Sequence, residues 1–249
     1  MVDLAKFVQN LDPTACIYLD DSYLRSLDAS IVKVTREKSN AYVLLDRTIF
    51  HPRSGGQPSD VGIIEGSEFR VEVKRAMLQS GRIVHFGKAE GELRACIAMC
   101  TIDWTNRFLL MRRHTAAHVL DHCLATCTGS RVETTDSWLG DDPFVGYAGN
   151  VTSELDLQRI QELGNHFIQN ELNVRIKTMN RSDAERLIGG APNLARLPKI
   201  EQLRVVTIED QIPIPCGGTH VKNLKEIGGL QVTRMERVEM GFRLHFEVR

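Results

Sequence analysis

The sequence predicts an α+β protein: a small β-barrel over residues 1–103, then a domain over 104–249 with helices on one face of a mainly antiparallel sheet. Three observations predict it. Short apolar runs separated by glycines fill the first part of the chain, a long unbroken helical pattern starts after Trp104, and strands and helices then lead to a terminal hairpin. A chain of 249 residues that is 42% hydrophobic can bury one substantial core or two modest ones, and the change of rhythm at Trp104 favours two.

The barrel elements come first. "ASIVKV", "AYVLLD", "FRVEVKRAM", "RIVHF" and "LRACIAMCTID", between Ala29 and Asp103, alternate or are continuously apolar, with Gly62, Gly66, Gly81, Gly87 and Gly91 as punctuation. Several strands so spaced suit a small barrel. Between the second and third runs lies "HPRSGGQPSDVG", residues 51–62, whose two prolines and three glycines exclude a helix and a central strand. A shaped loop is expected there.

The second part opens with "WTNRFLLMRRHTAAHVLDHCLA", rich in helix formers and free of Gly and Pro, which predicts a helix from Asn106 to Ala125. Leu157, Ile160, Phe167, Ile168 and Leu172 recur at near-helical spacing behind Ser153, a suitable N-cap. Then come a strand "NVRIKTM", a short helix opened by a Ser182–Glu185 capping box, and a strand "LRVVTI". A hairpin turning near Gly241 ends the chain.

Bulk properties narrow the class. No run approaches eighteen apolar residues and "MVDLAKFVQN" lacks the pattern of a secretory signal, so a soluble, cytoplasmic protein with no membrane partner is expected. In that setting the six cysteines are expected to be reduced. With a formal net charge of -1, an RNA partner has to be held by a local basic patch and not by the field of the whole molecule.

The chemistry-bearing signal is a pair of pairs. In "RHTAAHVLDH" the imidazoles of His114 and His118 stand four apart on a helix and can converge on one ion. Cys123 and Cys127 fall on roughly the opposite side, and His122 about 80° from His114, so these belong elsewhere, the thiols in the core. In "PCGGTHV" two glycines permit positive φ or close approach and let Cys216 and His220 turn toward one point. Three histidines and one cysteine form a sensible tetrahedral zinc set, although either pair alone is better read as ordinary surface or core residues. A zinc protease is disfavoured, because Thr115 stands where that class carries its glutamate.

"HTAAH" followed by "CGGTHV", with "GGQPSDVG" upstream and "DWTNRFLLMR" leading into the first pair, resembles the alanyl-tRNA editing proteins, free-standing relatives of the editing domain of alanyl-tRNA synthetase. The resemblance runs from about Tyr18 to Val248, and the chain is similar to the medium-length form. It implies a trans-editing hydrolase that deacylates tRNA(Ala) mischarged chiefly with serine, and secondarily with glycine, at a Zn2+ ion held by His114, His118, Cys216 and His220. It places Gly55 and Gly56 in a motif that shapes substrate choice, and makes Gly217 and Gly218 substrate-binding candidates. The chain departs from the family pattern at Ser54, at His51 and across "VETTDSWLGDDPFVGY". Thr219 and Thr115 adjoin ligand positions and are candidates for telling serine from alanine.

Several residues have bland alternatives. The loop 51–62 can be ordinary barrel structure; Glu209 and Asp210 can orient a ligand or end a strand in solvent. Arg107, Arg112, Arg113, Lys222 and Lys225 can bind phosphate or be solvated. His51, His85, His122, His166 and His245 are expected to be structural or exposed. Two other functions compete: editing of another mischarged tRNA such as seryl-tRNA(Thr), and an inactive zinc-stabilised RNA-binding module.

Overall fold

The structure, a computed structural model, describes residues 2–149, 155–189, 200–209 and 213–249. The chain divides into two compact units, one of residues 1–54 and 58–109 and one of 55–57 and 110–249. No described helix is long and apolar enough to cross a membrane.

In the first unit six strands close into an antiparallel barrel: β2 (Ser26–Glu37), β3 (Asn40–Leu45), β7 (Arg82–Gly91), β6 (Phe69–Gln79), β5 (Gly62–Glu65) and β8 (Ile97–Ile102), in that order around it. Strand β5 emerges from the end of the loop 51–62 and is an addition to the sequence reading. Strand β6 shows why alternation is legible: Phe69, Val71 and Val73 are buried while Arg70, Glu72 and Lys74 are exposed. Strand β3 shows why "AYVLL" is continuous. Ala41, Val43 and Leu45 fill the barrel, while Tyr42 and Leu44 pack with Phe7 and Val8 of a five-residue helix α1 (Leu4–Val8). A short parallel pair, β1 (Ala15–Cys16) with β4 (Arg47–Thr48), completes the unit.

The unit is held by an ion pair on Arg107, which the sequence offers only as a phosphate-binding or solvated side chain. Arg107 is fully buried, its guanidinium donating to both carboxylate oxygens of Asp60 and to the carbonyls of Ser22 (2.9 Å) and Ile49 (2.6 Å). Asp60 also accepts from the His51 amide, so the loop 51–62 is anchored at both ends of this fork. Arg107 is therefore not a phosphate ligand. A charge near a helix start reads as solvated until the fold shows what encloses it.

Helix α2 (Trp104–Thr128) exceeds the expected span at both ends. The Asp103 carboxylate accepts from the Asn106 amide (3.0 Å) at its start, and Gly129, at φ 74, follows its last residue. Helix α3 (Leu157–Gln169) is capped by Asp156, which accepts from the Arg159 amide (3.0 Å); Ser153 lies outside the described residues. Helix α4 (Arg181–Ile188) has Asn180 as N-cap with no side-chain capping bond, so the expected Ser182–Glu185 box does not form. The helix starts directly at the end of a strand, and Glu185 is taken by Arg181 one turn back at 2.7 Å. A capping box does form at Asn223 and Glu226, opening a 3-10 turn over Leu224–Ile227.

Two sheets receive these helices. One has the order β14 (Leu230–Val238), β15 (Gly241–Val248), β10 (Phe144–Ala148), β9 (Thr134–Trp138); the other is β11 (Val174–Asn180), β12 (Gln202–Ile208), β13 (Ile214–Pro215), and every pairing in both is antiparallel. Val238 pairs with Gly241, so the terminal hairpin turns on Glu239 and Met240. Helix α3 meets β14 and α2 at Gly164, where an added Cβ would stand 2.6 Å from Leu230 Cδ2 and 3.7 Å from Cys123 Sγ. Cys123 is a core thiol, pushed by burial up to about 12. Helix α4 closes a small core with Leu203 and Val205 of β12.

Candidate metal centre

The 3.6-residue repeat of α2 sets His114 above His118, and β13 delivers Cys216 and His220 at the start of the following loop. The two pairs meet: one donor atom from each of the four residues lies within 4.8 Å of all the others. Cys216 Sγ is 3.3 Å from His114 Nε2 and 3.3 Å from His220 Nε2, and the three imidazole centroids are 4.4–5.2 Å apart. All three rings are buried.

What aims these rings is a layer of neutral polar groups. Gln57 Oε1 can only accept, so the 2.8 Å bond to His114 puts the proton on Nδ1 and leaves Nε2 bare toward Cys216. Gln57 is itself fixed by Thr219, whose amide donates to Oε1 (3.1 Å) and whose hydroxyl accepts from Nε2 (2.8 Å). Thr115 treats His220 the same way: its hydroxyl donates to the Met111 carbonyl (2.9 Å), so its oxygen accepts from His220 Nδ1 (3.2 Å) and from the Val221 amide (3.2 Å). Burial, with the Arg204 charge, brings His118 down to about 4 and keeps its ring neutral. Burial also raises the Cys216 thiol, while the Gly218 amide and Arg204 draw it the other way. Arg204 secures the loop by donating to the carbonyls of Cys216 (2.7 Å) and Gly218 (3.0 Å).

The glycines divide into two kinds. A Cβ on Gly218 would strike the His114 ring at 2.0 Å, and one on Gly56 would meet Ser137 Oγ at 2.2 Å, so both serve close approach. Among the described residues nothing lies within 4 Å of that position at Gly55 or Gly217, so there both border open space. The remaining expectations separate cleanly. Arg112 donates to the carbonyls of Ile227 and Arg249, Arg113 to that of Gly140 and to Glu247, and Lys225 pairs with Glu171 at 2.6 Å. Glu209 joins Asn173 at the end of the β11–β12 pair and does not orient a ligand; Asp210 lies outside the described residues. His122 rests edge-on against Phe167, His166 bonds Asn170, and His245 lies between Asp142 and Glu236.

Sequence reasoning missed Gln57 as a functional residue. The available signal was an amide side chain between Gly56 and Pro58 in a loop already singled out for its glycines.

Comparison with known proteins agrees with this architecture. The family described as tRNA synthetases class II (A) matches residues 22–105, and the threonyl and alanyl tRNA synthetase second additional domain matches residues 203–243. The chain is 32% identical to alanyl-tRNA editing protein AlaX-M of Methanosarcina barkeri, over 90% of this chain and 93% of that protein. It is 36% identical to AlaX-L of Pyrococcus horikoshii over 88% of this chain, spanning about half (54%) of that longer protein. Similarity to the alanine–tRNA ligase of Korarchaeum cryptofilum is 34% over 94% of this chain and 26% of the ligase.

Proposed function

Because the chain belongs to the alanyl-tRNA editing proteins, a family of aminoacyl-tRNA deacylases, we propose that it hydrolyses the ester of tRNA(Ala) mischarged with serine or glycine, at a site containing Zn2+. The observation that carries this reading is the convergence of His114, His118, Cys216 and His220, with the free nitrogens of His114 and His220 turned toward the Cys216 sulfur. Around a tetrahedral zinc, a thiolate and an imidazole nitrogen stand about 3.5 Å apart, close to the 3.3 Å seen twice here. Zinc binding also resolves the cost of burying Cys216, since the bound ion takes the thiolate. When bound, the ion supplies a Lewis acid for the ester carbonyl or for water.

The protein's own residues do the rest. Gln57 and Thr115 hold the two imidazoles in the ligating tautomer, and Arg204 holds the loop that carries Cys216. Gly55 and Gly217 border open space that the aminoacyl group can occupy, while Gly56 and Gly218 let the loops close around it. Of the two threonines, Thr115 is committed to His220. Thr219 accepts from Gln57, which leaves its proton as the candidate donor to the serine hydroxyl. Division into a barrel domain over 1–103 and an editing domain over 104–249 is part of this proposal.

The need for such an enzyme follows from pocket energetics. A synthetase pocket for alanine rejects serine or glycine by only about 1–3 kcal/mol, so a second, hydrolytic selection is required. Comparing Ser-, Gly- and Ala-tRNA(Ala) with Ser-tRNA(Thr) as substrates tests the assignment. Hydrolysis of the first two with Ala-tRNA(Ala) left intact is expected. Turnover of Ser-tRNA(Thr) alone would move the protein to the threonyl branch, and binding of tRNA without turnover of any ester would make it an RNA-binding module.

A further inference from the structure

One carboxyl group near the metal-ligating cluster has no part in the scheme above. His114, His118 and Asp121 stand at i, i+4 and i+7 of α2, a single stripe about 60° wide, and Asp121 lies about 4.5 Å along the axis beyond His118. Tyr147 of β10 donates its hydroxyl to Asp121 Oδ1 at 2.8 Å, and a side-chain hydrogen bond joins Asp121 to Thr134 of β9. Burial pushes the Asp121 carboxyl up to about 7 against the pull of those two hydroxyls. Tyr147 is buried and its phenol, raised well above its ordinary value, stays a donor. Two neutral hydroxyls orient this carboxyl without supplying a counter-charge, so an arriving cation is what favours its ionised form.

The substrate class supplies what is missing. An aminoacyl ester differs from a plain ester by its α-ammonium group, which approaches a centre that is already positive: a divalent ion with one thiolate leaves one net positive charge, and Arg204 adds another. A carboxylate one helical turn from the ligands offsets that repulsion and draws the ammonium to one side of the cluster.

Resting on the reading of this site as an aminoacyl-ester hydrolase, we infer that Asp121, oriented by Tyr147, is a substrate-binding residue that receives the α-ammonium group of the aminoacyl moiety. The site thereby demands an amino acid ester and not merely a small acyl ester. Asp121→Asn keeps the shape and the hydrogen bond from Tyr147 while removing the charge.

The test is a titration of the zinc-loaded protein with two hydrolysis-resistant amides, 3'-serylamino-3'-deoxyadenosine and its glyceryl counterpart, in which a hydroxyl replaces the α-ammonium. The wild type is expected to bind the seryl compound at least about 10-fold more tightly, and Asp121→Asn to bring the two within about 2-fold, mostly by weakening the seryl compound. Equal affinities in the wild type overturn the inference, as does a preference that survives in Asp121→Asn. Should Asp121→Asn not fold, the wild-type pair still decides whether the ammonium is read, and Tyr147→Phe decides where: a preference reduced several-fold supports Asp121, and an unchanged one overturns it. Because binding is the readout, an ammonium preference without hydrolysis of Ser-tRNA(Ala) would remove the proposed activity and leave this assignment standing.

Discussion

The barrel and the metal-ligating cluster both bury histidine, and they use it in opposite ways. In the barrel, His85 has both nitrogens occupied by protein: Nδ1 donates to the Val43 carbonyl (3.2 Å) and Nε2 accepts from Thr48 (2.8 Å). Burial brings it down to about 4, so it is a neutral strut. In the second unit, His114 and His220 each have one nitrogen held by a neutral partner and the other pointed at a shared thiol. A structural histidine is therefore distinguished by how many of its nitrogens the protein satisfies, and not by its depth.

That contrast can be broken experimentally, first by removing one central group from each unit. Arg107→Ala should cost about 3–5 kcal/mol in urea unfolding, because it leaves Asp60 buried without its partner. His220→Ala, compared with wild type in chelator so that metal linkage does not enter, should cost much less and yet lose essentially all zinc and all deacylation. Equal destabilisation by the two changes would make the second cluster a structural element like the first.

A finer cut separates a ligand from the group that aims it. Gln57→Ala removes the acceptor that fixes His114, and a loss of about 10–100-fold in zinc affinity or turnover is expected, with a cost of about 1–3 kcal/mol to unfolding in chelator because the buried Thr219 amide loses its acceptor. Zinc affinity and turnover both within 2-fold of wild type would show that Gly218 and the loop alone orient the ring.

A third contrast concerns acid. A histidine whose folded value is depressed binds its proton more readily when unfolded, so its contribution is intact above about 6.5 and is lost as pH falls toward about 4. For His85 that amounts to about 3 kcal/mol across the window. Urea midpoints of metal-free protein between pH 7 and 4.5 should therefore fall more steeply in wild type than in His85→Gln. Parallel curves would mean that His85 is not buried as a neutral ring.

Much of this was readable in the sequence, for identifiable reasons. Strands such as "FRVEVKRAM" announce themselves by alternation, and His114 with His118 by helical spacing. Strands β9 and β10 were not readable, because "VETTDSWLGDDPFVGY" mixes polar and apolar residues without either period; Gly146 allows close approach to Asp136 there. Helix α1 escaped notice because five residues are too few to show a period. Gln57 and Arg107 share a deeper obstacle. Their partners lie 57 and 162 residues away in one case and 47 in the other, so their roles exist only once the chain has folded.

The most direct test of the central claim is the rate of Ser-tRNA(Ala) hydrolysis measured against zinc content, from fully chelated protein to one ion per chain. The rate should rise in proportion to zinc and level off at one equivalent, with Ala-tRNA(Ala) persisting throughout. Full hydrolysis by zinc-free protein, or no hydrolysis at full occupancy, would contradict the account.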